Sequence, residues 1–210
     1  SPVLFLSRGD EVQASTGSTR TELDLEYPLP AKHMLKPFPG QAAPNIDIAV
    51  EVSRTGLETL RLRFVVSGEV DGIARPSLAE PRRQDGLWQH TCFEFFLKED
   101  GERSYVEINL SSSGEWAAYQ FDDYRAGMRD LPMEEPTIGT AGIPGMWSVG
   151  TDVKIARLST ADWNAALSAV IEERDGRKSY WALTHPAAKP DFHHPDSFIC
   201  ELPPFSSPRT

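Results

Sequence analysis

"IDIAVEVSRTGLETLRLRFVV", residues 46–66, reads as two strands joined by a turn. Ile46, Ile48, Val50 and Val52 alternate with Asp47 and Glu51, and Leu60, Leu62, Phe64 and Val66 alternate with Arg61 and Arg63. An extended chain sends successive side chains to opposite faces, so this pattern is a half-buried antiparallel hairpin, with "TGLE" at 55–58 as its turn.

The chain beyond it repeats the pattern. Strands are expected in "HTCFEFFLK" (90–98), "SYVEINLSS" (104–112), "EWAAYQFDDY" (115–124), "WSVGTDVKIAR" (147–157), "ALSAVIEE" (166–173), "SYWALTH" (179–185) and "SFICEL" (197–202). Turn signals separate most of them: "EDGE" at 99–102, "SSSG" at 111–114 and "RDGR" at 174–177. The one helix-like stretch is "TADWNAALSAVIEE" (160–173), where Thr160 is placed to cap a brief helical turn before the segment extends. Short strands at close turn spacing, with no long helix to carry parallel crossovers, predict an all-β fold, an antiparallel β-sandwich with at most short helical turns.

Residues 1–33 differ. "DEVQASTGSTRTELDLEY" is polar, lacks apolar periodicity, and leads through Pro28 and Pro30 toward Met34. Such a composition buries too little apolar area to offset its ordering entropy, so 1–33 is expected to be a flexible arm or an appended segment. Residues 34–210 are then one domain.

With 21 basic and 31 acidic residues the net charge is −10, and the basic residues are scattered singly. An acidic, unclustered surface repels phosphate backbones and anionic lipid, which argues against nucleic-acid and membrane partners. No apolar run approaches the ~20 residues of a membrane span, and the N-terminal stretch lacks a secretory pattern, so a cytoplasmic protein is expected. Cys92 and Cys200 do not make a disulfide framework and are expected as free buried thiols. Composition and motifs name no cofactor and no oligomeric state.

"LWQHTCFEFF" (87–96) gathers a histidine, a cysteine and a glutamate. In a strand, Thr91, Phe93, Phe95 and Leu97 share the core face and His90, Cys92, Glu94 and Phe96 the other. Positions two apart in a strand lie ~6.7 Å from each other, too far for a direct Cys–His nucleophile pair. A metal would need three or four convergent ligands, and no second cysteine or histidine stands at a recognised spacing. No catalytic residue and no metal ligand is therefore assigned.

In "SYVEINL", Val106, Ile108 and Leu110 face the core while Tyr105, Glu107 and Asn109 face outward. In "EWAAYQF", Ala117, Tyr119 and Phe121 fit the core, which leaves Trp116, Ala118 and Gln120 outside. His90, Glu94, Tyr105, Glu107, Asn109 and Trp116 then share one outer surface, joined by Trp88. Flat aromatics beside amide and carboxylate acceptors suit a polyol, because rings stack on apolar sugar faces while polar groups hold hydroxyls. The plain alternative is a solvated or loop-covered sheet face. A further one makes Glu94 and Glu107 the acid–base pair of a glycoside hydrolase. In "KPDFHHPDSF" (189–198) the prolines stiffen a loop that brings His193 or His194 over this face, His194 being taken as the ligand contact.

"LWQHTCFEFF", "YVEINLSSSGEWAAYQFDDYR" (105–125), "DGRKSYWALTHP" (175–186) and "KPDFHHPDSF" together resemble the bacterial DOMON-like family, relatives of the family 9 carbohydrate-binding modules. The resemblance runs over residues 34 to 204. It implies a jelly-roll-like β-sandwich that binds a sugar or a haem. Sugar-binding relatives grip a saccharide between tryptophans, which makes Trp88 and Trp116 the possible counterparts. Haem-binding relatives use a methionine and a histidine; Met128, Met133, Met146, His90, His185, His193 and His194 are present, but no motif ties a pair together. The expected role is a non-catalytic module for a carbohydrate or similar polar small molecule.

Overall fold

A computed structural model describes residues 31–156, 158 and 161–205. Thirteen strands lie among them. The first ones are β1 (Ala31–Pro37), β2 (Ile46–Arg54), β3 (Thr59–Gly68), β4 (Arg82–Arg83), β5 (Cys92–Glu99), β6 (Tyr105–Leu110) and β7 (Glu115–Phe121). The rest are β8 (Arg129–Asp130), β9 (Gly139–Ile143), β10 (Met146–Lys154), β11 (Trp163–Glu172), β12 (Lys178–Ala182) and β13 (Cys200–Leu202). Only short 3₁₀ turns accompany them, and no described helix is long and apolar enough to cross a membrane.

One sheet runs β1-β2-β3-β10-β9 and the other β4-β7-β6-β5-β11-β12, with β13 on β11 and β8 on β7. β1 belongs to both: Ala31 to Leu35 pair with β2, and Lys36 and Pro37 pair with β12. Every ladder is antiparallel except β4 with β7. The expected β-sandwich is present.

The hairpin at 46–66 behaves as its alternation requires. Ile48, Val50, Leu60, Phe64 and Val66 are fully buried. On the other face Arg61 forks onto Asp152 of β10 at 2.8 Å, and Arg63 reaches Glu51 at 3.5 Å. The two sheets meet through rings: Phe64 lies 4.9 Å from Phe93, and Phe93 lies 5.4 Å from Trp147, centroid to centroid. Burying one such side chain contributes about 1.5–3 kcal/mol.

The β5–β6–β7–β11 sheet is covered on both sides. Its inner face joins the main core through Phe95, Leu97, Ile108, Leu110, Leu167 and Ile171. Its outer face carries Cys92, Phe96, Tyr105, Ala117, Tyr119 and Phe121, over which loops lay Leu87, Phe192 and Phe198. A strand buried on both faces reads as a continuous apolar run, which is why "CFEFFL" shows so little alternation.

The segment expected to extend after at most a brief helical turn does so: Trp163–Glu172 is one strand, held by β5 on one side and by β12 and β13 on the other. Its alanines fit the tight faces of a central strand, and Thr160 lies outside the described residues. Of the expected arm, 1–33, residues 1–30 lie outside the described residues, and Ala31, Lys32 and His33 pair with Val52, Glu51 and Val50 in β1. Both cysteines are free and buried.

Candidate functional site

Register builds a lattice on the outer face of β5, β6 and β7. Glu94 stands opposite Asn109, which stands opposite Ala117. One rung along, Phe96, Glu107 and Tyr119 align; on the next, Lys98, Tyr105 and Phe121. Glu94 and Glu107 are thus diagonal neighbours, a relation that sets backbones about 7–8 Å apart. The residues flanking Glu94 and Asn109 are small: Ser168 and Ala182 continue the same rung on β11 and β12, and Ala117 ends it on β7. Small side chains around a polar pair leave space above them.

That space is a cavity of about 420 Å³. Glu94, Glu107, Tyr119, Phe121 and Val170 line it from the sheet, with Tyr180 from β12. Loops supply the rest: Trp88 from the turn before β5, Arg125 and Met128 after β7, and Phe192 and His193 before β13. Its size is that of a small-ligand site, for which about 300–1,000 Å³ is usual.

Electrostatics distinguish this floor from a solvated sheet face. Glu94 and Glu107 are 4% and 6% exposed. Burial, and then the Glu107 charge, push the Glu94 carboxyl well up. Burial likewise raises Glu107 to about 7, against the opposing pull of its bond from Asn109 and of Arg125. Asn109 Nδ2 donates to Glu107 Oε1 at 2.8 Å, while Asn109 Oδ1 and the Ser168 hydroxyl find no partner among the described residues.

His193 closes one side. Burial, with Arg125 nearby, drops its pKa to about 4, so the ring is neutral near pH 7. The Tyr105 hydroxyl sits 2.8 Å from His193 Nδ1 and accepts from the Arg125 backbone N–H at 3.2 Å. The simplest network has Tyr105 donating to Nδ1, which leaves the Nε2 proton facing Glu107 Oε2 at 3.8 Å. Asp191 ties the two lips together. It accepts from the Tyr124 hydroxyl at 2.6 Å, from Arg125 at 2.8 Å and from the His193 backbone at 3.2 Å. Arg125 has φ 51°, a left-handed conformation that directs the chain back over the sheet.

The residues expected at the site divide clearly. Glu94 and Glu107 form the floor and Trp88 the rim, 54% exposed. Asn109 and Tyr105 lie behind them, holding Glu107 and His193. Three expectations are corrected. Trp116 belongs to the main core at 5% exposure, because it pairs with Leu110 and shares its inner face; Tyr119, assigned to the core, takes the outward place. His90 stands before β5 with Nδ1 2.8 Å from a Glu172 carboxylate oxygen, away from the cavity. His194 turns aside, its Nδ1 accepting from the Asp196 N–H, and His193 is the one that enters.

No group of His, Cys, Asp and Glu side chains that could hold a metal occurs among the described residues. Met128 and His193 do share the cavity, the pair that haem ligation would use. Yet His193 Nδ1 is taken by Tyr105 and Nε2 faces a carboxyl, over a floor of two acids. These residues do not fit a haem.

The fold resembles that of a candidate carbohydrate-binding protein from Bacteroides uniformis, with 13% identity, a TM-score of 0.60, and coverage of 82% of this chain and 85% of that one. It also resembles a family 9 carbohydrate-binding module from Caldicellulosiruptor kristjanssonii in complex with cellotriose, with 12% identity, a TM-score of 0.51 and 84% of each chain covered. No family model and no curated protein matches the chain. Identities this low establish likeness of fold alone.

Proposed function

We propose that this chain is a non-catalytic module that binds a neutral carbohydrate, or a similar polyol, in the cavity over β5, β6 and β7. The observation that carries the reading is a pair of buried carboxyl groups, Glu94 and Glu107, on the floor of a cavity walled by aromatic rings. Tyr119, Tyr180, Phe192 and Trp88 offer apolar surfaces against which a sugar ring packs. The two carboxyl groups, neighbours on adjacent strands, receive vicinal hydroxyls. Arg125 donates to ring or hydroxyl oxygens from the lip. The known sugar ligand of a protein with similar fold agrees with this chemistry. It also agrees with the resemblance of the site-bearing motifs to DOMON-like relatives of family 9 modules.

Binding is favoured over hydrolysis by the same geometry. A glycosidase flanks the scissile bond with its two carboxyl groups, one as acid and one as base or nucleophile. Here both rise from one floor, on the same sheet face, and burial raises both. Neither is set across a cleft from the other.

The test is a thermal-shift panel of mono- and oligosaccharides on the native chain, Trp88→Ala and Glu107→Gln. A ligand at a hundredfold its dissociation constant adds about 2.7 kcal/mol to stability. At least one saccharide should raise the melting temperature of the native chain, and both variants should lose most of that rise. If no saccharide acts, or the variants respond like the native chain, the reading is wrong.

A further inference from the structure

At the end of the sandwich where β6 and β11 finish and β10 begins, a second cavity of about 510 Å³ opens. It shares no lining residue with the first. Its walls come from the loop after the Val70–Gly72 turn, the turn after β6, the edge strand β9 and the turn after β11. The loop is laid in place by backbone pairing: Ala74 N–H donates to Glu172 O at 2.8 Å, and Arg174 N–H to Gly72 O at 2.9 Å. This brings Arg75 and Arg174 to one cavity.

Those two arginines are unlike the other described ones. Arg61, Arg63, Arg82, Arg83, Arg103, Arg125, Arg129 and Arg177 each reach a carboxylate. Arg54 is buried and donates to backbone carbonyls. Arg75 and Arg174 have no carboxylate partner among the described residues, in a chain whose net charge is −10. The nearest acids in sequence to Arg174 are engaged: Glu172 by His90, and Glu173 and Asp175 by Arg177.

The cavity lining adds donors and no acid. Ser112 is 8% exposed and Trp147 is 3% exposed, and neither the Ser112 hydroxyl nor the Trp147 indole N–H has a partner among the described residues. The Arg75 guanidinium lies 5.7 Å from the Trp147 ring centroid, which fixes it over the indole. No aspartate or glutamate among the described residues lines the cavity. Two exposed, forked cations at one cavity, with two unpartnered donors buried just behind its lining, call for an acceptor with several oxygens, and a planar guanidinium suits a bidentate oxyanion.

We propose that this cavity is a second binding site, for a small molecule bearing a tetrahedral oxyanion, phosphoryl or sulfuryl. Arg75 and Arg174 take the anion, and the Ser112 hydroxyl and Trp147 N–H complete its contacts after a small side-chain adjustment. The volume leaves room for an organic body beyond the anion, against Ile73 and the exposed Leu78.

The probes are orthophosphate, sulfate and glycerol 3-phosphate, titrated calorimetrically at constant ionic strength in sodium chloride. The proteins are the native chain, Arg75→Ala, Arg174→Ala, the double variant and, as control, Arg61→Ala, with folding checked by circular dichroism. The native chain and Arg61→Ala should bind at least one probe, and each site variant should bind it about tenfold more weakly or worse. Tighter binding of glycerol 3-phosphate than of orthophosphate identifies an ester; preference for sulfate identifies the sulfuryl form. Absence of binding by every probe, or equal binding by native and double variant, overturns the proposal. Glu107→Gln should leave this binding unchanged, so its outcome is separate from that of the saccharide site.

Discussion

Trp116 lies opposite Leu110 in the β6–β7 ladder, and the pairing turns its indole into the main core. Three residues on, the same ladder sets Tyr119 opposite Glu107, with both side chains lining the cavity. Two aromatic residues of one strand therefore have unrelated tasks.

Trp116→Ala should destabilise the domain by about 3–5 kcal/mol, since it empties a large core position. The folded fraction should bind saccharide as before. Trp88→Ala should do the reverse: stability within about 0.5 kcal/mol of native, because the ring is exposed, but clearly weaker binding. Urea denaturation and calorimetry on both variants separate the two effects. Loss of binding in folded Trp116→Ala would return that residue to the ligand.

Glu107 and His193 should give opposite pH signatures. Folded Glu107 keeps its proton up to about 7, against an ordinary 4.5. Between those values the folded state binds more protons than the unfolded chain, so its contribution to stability falls as pH rises. His193 is held at about 4 against 6.5, so there the unfolded chain binds more protons and stability falls as pH drops. Glu107→Gln should accordingly gain on the native chain as pH rises from 5 to 8, by on the order of a few kcal/mol. His193→Asn should gain on it as pH falls from about 6.5 toward 4. Denaturation series across pH measure both; a pH-independent Glu107→Gln difference would mean that the carboxyl is not held protonated.

Asp191 does not line the cavity, yet it fastens Tyr124, Arg125 and the His193 backbone. Asp191→Ala should cost about 1–3 kcal/mol and weaken saccharide binding without touching the ligand. Hydrogen exchange should accelerate at residues 122–128 and 189–194 and stay unchanged in β2 and β3. Asp191→Asn, which can still accept two of the three bonds, should fall between.

The hairpin at 46–66 was legible because one face meets the core and the other meets water, where Arg61 and Arg63 find acidic partners. The outward positions of Glu94 and Glu107 were legible too, since a carboxylate amid phenylalanines and leucines marks a face. "EWAAYQF" was not, because an aromatic sits at alternating positions on each side: Trp116 on one, Tyr119 and Phe121 on the other. Period two separates those faces but does not orient them; only the register against β6 does. Arg125, Phe192 and His193 enter from irregular loops, which carry no period. β1 escaped notice because Lys32, His33 and Lys36 break its apolar pattern, and its order comes from pairing with β2 and β12.

The most direct measurement is an amide chemical-shift map of the native chain titrated with the saccharide that raises its melting temperature most. The account predicts the largest shifts at Glu94, Glu107, Tyr119, Arg125, Tyr180 and His193, with little change along β2 and β3. Shifts centred on the outer face of β2 and β3, or on the edge strand β9, would contradict it.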